Sequence, residues 1–217
     1  MAPTLYYMDR SPPCRSVRMM AKAVGLELNL VPTDPLNGET RTKEFLAINP
    51  QHTIPTLVDE DITLWESRAI LQYLANQYGC KDKKLYPKDA VLRAQVDRML
   101  YFDFGTLGAA FLNFILPVML HKEKPESENL AKIHEALALL DQYLEGHFFA
   151  VGNRLTIADY ALVVSASSCE AIGVELLQYK NVKRWLTRCK EQMPGYLELN
   201  EKPCENISKM FKTKMRI

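Results

Sequence analysis

Ser11 stands directly before Pro12-Pro13, with Cys14 next, and this run is the first place where residue types and spacing suggest chemistry. Two successive prolines suit the first turn of a helix, where a missing N–H costs nothing. The Ser11 hydroxyl then sits at a helix N-terminus, where backbone N–H groups and the helix dipole favour an anion such as a thiolate. A plain capping hydroxyl satisfies the same pattern, and spacing alone leaves both roles open. A Cys-x-x-Cys at such a turn would be a redox pair; with serine in the first position, only the thiol of Cys14 remains.

Ile54-Pro55 is a second candidate, because proline is the one residue before which a cis peptide is cheap. A cis bond would aim the N–H and C=O of Ile54 out of the strand, where an extended peptide ligand could pair with them. A trans proline tolerated at the first residue of a strand is the simpler alternative. At Glu66-Ser67-Arg68, Ser67 could cap a helix while meeting a carboxylate and Glu66 could take an ammonium; a solvated face fits as well. Further on, the apolar series Leu92, Val96, Met99, Leu107, Phe111 skips position 103, which is an aspartate. A carboxylate on a buried stripe needs a partner; Arg68 is one, and a wet crevice would serve otherwise. Thr156-Ile157-Ala158-Asp159 has capping-box spacing, a folding signal and not a catalytic one.

These residues need elements to carry them. Residues 4–7 are β-prone, a helix from Pro12 carries Val17, Met20, Ala21 and Val24 on one face and stops at Gly25, and residues 27–31 read as a second strand. Strand, helix and strand at this spacing imply a parallel pair with a right-handed crossover. After a helical stretch at 43–48, residues 54–58 and 63–65 read as an antiparallel hairpin turning at Glu60-Asp61, and a helix runs from Ser67 to Gly79. That order is thioredoxin-like. Residues 80–89 lack apolar periodicity and read as a linker, and a second helical series follows at Ile133, Leu137, Leu140 and Leu144. The expected architecture is an α/β thioredoxin-like N-terminal domain over 1–79, a linker over 80–89 and an all-α helical-bundle C-terminal domain over 90–217.

Composition bounds the function. With 47% hydrophobic and 24% charged residues and a formal net charge of +1, the chain is ordinary globular material with no field to attract nucleic acid or an anionic membrane. Asp9-Arg10 interrupts the N-terminus before any signal-peptide run, and no later stretch reads as able to cross a bilayer. Five cysteines, Cys14, Cys80, Cys169, Cys189 and Cys204, are scattered without metal-ligand spacing, which fits reduced thiols in the cytoplasm and no metal site.

Together these residues resemble the cytosolic glutathione transferases, most of all the insect delta class, with the epsilon class next. The likeness is carried in order by Tyr6-Tyr7 and residues 11–17 (SPPCRSV), 21–28 (AKAVGLEL), 45–59 (FLAINPQHTIPTLVD), 64–70 (LWESRAI), 100–107 (LYFDFGTL) and 155–159 (LTIAD). The resemblance implies a cytoplasmic, homodimeric detoxification enzyme that conjugates the glutathione thiolate to small apolar electrophiles. Dehydrohalogenation and peroxidase activity would be further uses of that thiolate, with glutathione as co-substrate and no other cofactor. It implies that Ser11 is catalytic and hydrogen-bonds the glutathione sulfur. His52, Thr53 and Ile54 with Pro55 would hold the middle and glycyl parts; Glu66, Ser67 and Arg68 would hold the γ-glutamyl end. Asp103 would reach that end from the other subunit, and Phe111, Phe114, Ile115 and Phe211 would wall the second-substrate pocket. The alternatives are a non-catalytic glutathione-binding or ligand-binding protein of this fold and a glutathione-dependent thiol transferase using Cys14. Ser11, Glu66, Ser67 and Arg68 together argue against the first, and the unpaired Cys14 inside its helix against the second.

The chain departs from the delta pattern in three places. Asp9-Arg10 stands where Pro-Gly usually precedes the serine, putting two charges beside the sulfur site. Thr40 stands where many members carry a histidine. Gly108, Phe114 and Leu116 replace tyrosines of the pocket wall, implying a wider, more apolar cavity. The reaction also sets a demand: a thiol of pKa ~8.5 is only ~3% ionised at pH 7. A hydrogen bond to a charged group contributes roughly 1.5 to 3 kcal/mol, about one to two pKa units. One serine donor is thus enough to make the thiolate a major species, with glutathione sulfur as the nucleophile.

Overall fold

The computed structural model describes residues 1–79, 85–121 and 124–215. Strands β1 (Thr4–Tyr7), β2 (Asn29–Pro32), β3 (Thr56–Asp59) and β4 (Ile62–Trp65) form one sheet in the order β2-β1-β3-β4. β1 and β2 are parallel, and β3 is antiparallel to β1 and β4. Helix α1 (Pro12–Val24) joins the parallel pair; it starts on Pro12 and Pro13 and ends at Gly25, whose φ of 75° lets its N–H reach the carbonyls of Ala21 and Lys22. β2 starts two residues later than expected because Leu26 still bonds the Ala21 carbonyl at 2.9 Å, closing the helix. β3 starts after Pro55, which has no N–H for a ladder. α2 (Lys43–Ile48) is capped by Thr42, and α3 (Ser67–Gln77) follows β4. This is the thioredoxin-like arrangement.

The rest is helical. α4 (Ala90–Phe102), a π-helical turn (Asp103–Leu107), α5 (Gly108–Leu116) and a second π-helical turn (Pro117–His121) run on from one another. α6 (Ser127–Tyr143), α7 (Ile157–Ala171), α8 (Lys180–Gln192), a π-helical turn (Leu197–Glu201) and α9 (Lys202–Met215) complete the chain. α7 is buried from Ile157 through Cys169 and touches α1, α4, α5, α8 and α9, so it is the axis joining the helices to the sheet domain. A helix apolar all round can be stable only in such a position.

Two expectations change here. The helix over 90–120, with an 18-residue stretch of mean hydropathy 1.5, is long and apolar enough to cross a membrane by length and composition, contrary to the sequence reading. Part of its apolar surface packs on α6 and α7, with Val96, Met99, Leu107 and Phe111 buried. Leu92, read as part of that stripe, is exposed instead. Of the expected linker 80–89, residues 80–84 and with them Cys80 lie outside the described residues. Leu85 is buried, and its carbonyl accepts the Ile157 N–H at 2.8 Å, tying this segment to the start of α7.

Candidate active site

The sheet register gathers the candidate residues. Tyr6 lies opposite Thr56, and Thr56 opposite Trp65. The turn after β1, the residue before β3 and the residue after β4 therefore leave the sheet at one end, bringing Ser11, Pro55 and Glu66 to one rim. Ser11 precedes α1 with extended backbone (φ −72°, ψ 117°), and its hydroxyl makes no capping bond. Its main chain is fixed instead, the N–H donating to the Met8 carbonyl and the C=O accepting from the Arg15 N–H, both at 3.0 Å. The capping role left open by spacing is not the one the hydroxyl takes.

Cys14 lies one turn into α1 and is fully buried. Burial pushes its thiol up to about 11, which hydrogen bonding with the Ser11 side chain and the Met8 backbone offsets only in part. At neutral pH it is a protonated packing residue, which does not favour the thiol-transferase alternative.

The Ile54-Pro55 bond is cis. The loop before it is built on Asn49, a buried residue that sequence reasoning passed over. Its side-chain amide donates to the Thr53 carbonyl and hydroxyl, both at 3.2 Å, and to the Thr56 hydroxyl at 2.8 Å. Its backbone carbonyl accepts the His52 N–H at 2.9 Å, holding half-buried His52 at φ 48°. The Asn49-Pro50 pair was the available signal, a turn-forming sequence. Thr53 is thus part of the frame, its polar atoms turned to Asn49.

Glu66 holds the left-handed φ of 68° between β4 and α3, a conformation costing roughly 1–3 kcal/mol for a non-glycine residue. Its exposed side chain makes no capping bond. This turn uses up the capping position, so Ser67 enters as the first helical residue and not as the cap that sequence reasoning gave it. Ser67 is buried and its hydroxyl accepts from Arg68 Nη1 at 3.1 Å.

Arg68 also pairs through Nη2 with Asp103 Oδ2, and the Ser165 hydroxyl donates to Asp103 Oδ1 at 2.7 Å. Asp103 is 0% exposed within one chain. Burial pushes its carboxyl upward, opposed by Arg68 and Ser165. Its predicted partner Arg68 is present, but in the same chain. Both carboxylate oxygens are occupied inside the fold, so Asp103 does not reach another subunit, which corrects the role implied by the resemblance. Ser165 carried no signal in the sequence beyond being a small polar residue on an apolar helix. Gly108 makes room for this pair: a Cβ there would lie 2.8 Å from the Asp103 carbonyl oxygen and 3.1 Å from Arg68 Nη2.

The second-substrate residues do not form the expected wall. Phe111 borders a cavity of about 10 Å³ between Pro12, Ser67, Arg68 and Val164, room for about one water. Phe114 and Phe211 are buried with ring centroids 6.0 Å apart, and Ile115 is buried beside them. Facing aromatic side chains on α5 and α9 fill the space between the helices. The larger opening is a cleft of about 600 Å³ bounded by residues 7–10 and 32–34, Glu39, and Asn206, Lys209 and Met210 of α9. Asp9, Arg10, Asp34, Glu39 and Lys209 give it a charged wall, and neither Gly108 nor Leu116 lines it. The charges beside Ser11 are compensated locally: Arg10 pairs with Asp34 at 2.9 Å, and Asp9 pairs with Arg18, which lies 4.5 Å over the Tyr7 ring. Thr40 is buried in the loop after β2.

The capping box is more than a box. Asp159 accepts the Thr156 N–H at 2.8 Å and its hydroxyl at 3.1 Å, the Ala150 N–H at 2.8 Å and Trp185 Nε1 at 2.9 Å. It lies away from the rim and ties α7 to α8.

Family models described as glutathione S-transferase, N-terminal domain, and glutathione S-transferase, C-terminal domain, match residues 5–83 and 109–192. Glutathione S-transferase D7 of Anopheles gambiae is 42% identical over 218 residues, covering 100% of both chains. Among solved structures, a delta-class glutathione transferase of Nilaparvata lugens is 45% identical with a TM-score of 0.93, covering 98% of this chain and 99% of that one. An epsilon-class glutathione S-transferase of the housefly Musca domestica is 32% identical with a TM-score of 0.92, covering 98% of each chain. Identity is thus higher to the delta-class protein, in the order that the sequence motifs suggested.

Proposed function

Because the chain belongs to the glutathione S-transferase family and is a glutathione-conjugating enzyme of insect delta type, we propose which of its residues carry the reaction and how. Ser11 donates its hydroxyl proton to the glutathione sulfur and favours the thiolate, which attacks an electrophile seated in the cleft beside α9. Residues 1–79 hold glutathione, 80–89 act as linker, and 90–217 supply the opposite wall. The single observation carrying this reading is the Ser11 hydroxyl, which stands at the sheet rim without a capping bond beside the turn at Glu66.

The cis bond before Pro55 stands at the same rim, and no protein hydrogen bond engages the Ile54 backbone among the described residues. An extended tripeptide pairs there, near His52. The exposed Glu66 carboxylate takes the γ-glutamyl ammonium, and the Ser67 N–H at the start of α3 takes its carboxylate. Arg68 is a positioning residue: it holds Ser67 and is itself held by Asp103. The electrophile has an apolar body resting on Tyr7, Met8 and Met210 and a polar substituent facing Lys209.

Two copies associate through the exposed Val91, Leu92, Tyr101 and Phe104 of the α4 region, in the symmetric manner usual for such assemblies; sedimentation showing only monomer at micromolar concentration would exclude this. Free Cys14, Cys169, Cys189 and Cys204 fit a reducing cytoplasm. The roles are tested by retention on immobilised glutathione combined with turnover of an aryl halide. Ser11→Ala should keep the first and lose most of the second; loss of both would make Ser11 a binding residue only.

A further inference from the structure

Arg10 and Lys209 are the two cations that line the cleft beside Ser11, and they are held differently. Lys209 is an exposed side chain on α9. Arg10 is anchored: Nη2 donates to Asp34 Oδ2 at 2.9 Å, and the two side chains are only 30% and 24% exposed. Asp34 is fixed in turn, its Oδ1 accepting the Leu36 N–H at 2.8 Å and its own N–H donating to Glu39 Oε2 at 2.6 Å. The Thr33 N–H donates to the Tyr7 carbonyl at 2.7 Å, so the loop carrying Asp34 is tied to the turn carrying Arg10. A guanidinium is a planar fork of N–H donors. Only Nη2 is used here; Nη1 and Nε make no hydrogen bond among the described residues.

Arg10 directly precedes Ser11, and the bond from the Ser11 N–H to the Met8 carbonyl closes both into one turn. The charges around the cleft nearly cancel. Asp9 is paired with Arg18 and Arg10 with Asp34, while Glu39 and Lys209 offset one another. Attraction of an anion from a distance is therefore not what the cleft supplies. It supplies a fixed donor, one residue from the group that would hold the sulfur. Such a donor matters for an electrophile that keeps the electron pair it receives, because negative charge then builds on one of its own atoms.

We propose that Arg10 is a second catalytic residue, an oxyanion donor for conjugate addition, which makes unsaturated carbonyl compounds the favoured electrophile class. The inference rests on Ser11 holding the glutathione thiolate beside this cleft. The sulfur lone pair forms an S–C bond to the β-carbon, the C=C pair shifts toward the carbonyl, and the oxygen becomes an enolate. A free N–H of Arg10 donates to that oxygen; the α-carbon then takes a proton from water and the carbonyl re-forms. Substitution at an alkyl halide makes no enolate, since the charge departs with the halide. The pair with Asp34 orients the guanidinium before substrate arrives, so little reorganisation is needed during the reaction.

The test compares kcat/KM for benzylideneacetone, an unsaturated ketone, with that for benzyl chloride at saturating glutathione. Both electrophiles use the same thiolate, so any change in its ionisation cancels in their ratio. Arg10→Gln should lower the ketone value about tenfold or more beyond its effect on benzyl chloride. Arg10→Lys should restore part of the loss, because the charge is kept and the fork is not. Asp34→Asn keeps the guanidinium but loosens it, and should lower the ketone value selectively by a smaller factor; it gives a second reading if Arg10→Gln folds poorly. Equal losses on both electrophiles, or an unchanged ketone value, would overturn the proposal and leave Arg10 as a tie between two loops. Failure of the Ser11 reading would show separately, as a Ser11→Ala enzyme that turns over both electrophiles normally.

Discussion

Asp103 and Asp159 are both fully buried carboxylates among the helices, yet their charges are met in different ways. Asp103 faces a guanidinium and one hydroxyl, and through Arg68 it reaches Ser67 on the sheet rim. Asp159 faces neutral donors only, from its own helix start, from Ala150 and from Trp185 of α8. Burial pushes both carboxyls upward, so neither burial nor a perturbed acidity separates a site residue from a folding residue. The neighbours do. Asp103 supports side chains that border the proposed glutathione seat, whereas every partner of Asp159 belongs to helix packing.

The contrast can be broken most easily at Asp159. Asp159→Ala leaves its donors without an acceptor, and at a typical ~1 kcal/mol or more for each the loss should be about 4 kcal/mol of stability. Urea denaturation should show this while activity per folded molecule is kept; normal stability with lost activity would move Asp159 into the site. Phe114 belongs to the same side of the comparison, since its ring packs on Phe211 inside the core. Phe114→Ala should cost about 3 kcal/mol and change electrophile KM little, and the opposite pattern would restore it to a pocket wall.

Asp103→Asn keeps the shape but leaves Arg68 without its counter-charge. The KM for glutathione should rise about tenfold, the equivalent of about 1.4 kcal/mol, with kcat for the chemical step less affected. An unchanged KM would reduce Asp103 to a second folding residue. The smallest effect is expected at Gly108, where alanine would gain about 1 kcal/mol from helix propensity elsewhere but here presses on the Asp103 carbonyl and Arg68. Gly108→Ala should therefore bring no gain in melting temperature and a modest rise in KM for glutathione.

The parts of this arrangement that depend on local sequence were legible without coordinates. Pro12-Pro13 set the helix start after Ser11, and the gap at 103 in an apolar series pointed to a carboxylate needing a partner, with Arg68 and a wet crevice as the two candidates. The missing parts depend on what faces what. Periodicity shows that Phe111, Phe114 and Ile115 lie on an apolar face but not that Phe211 of α9 fills the space opposite. Ser67 was misassigned by one position because a left-handed φ at Glu66 is invisible in the sequence. Asn49 and Ser165 act through loop geometry or through a partner distant in the chain, and as single residues they read as a turn and a filler.

The central claim is that Ser11 lowers the pKa of the glutathione thiol by donating to it, and thiolate absorbance in the binary complex of Ser11→Ala tests this most directly. The titration should move roughly one to two pH units higher and conjugation at neutral pH should fall about ten- to a hundredfold, as the loss of roughly 1.5 to 3 kcal/mol requires. Glutathione should still bind. A Ser11→Ala enzyme whose bound thiol titrates as in the unaltered protein would contradict the account.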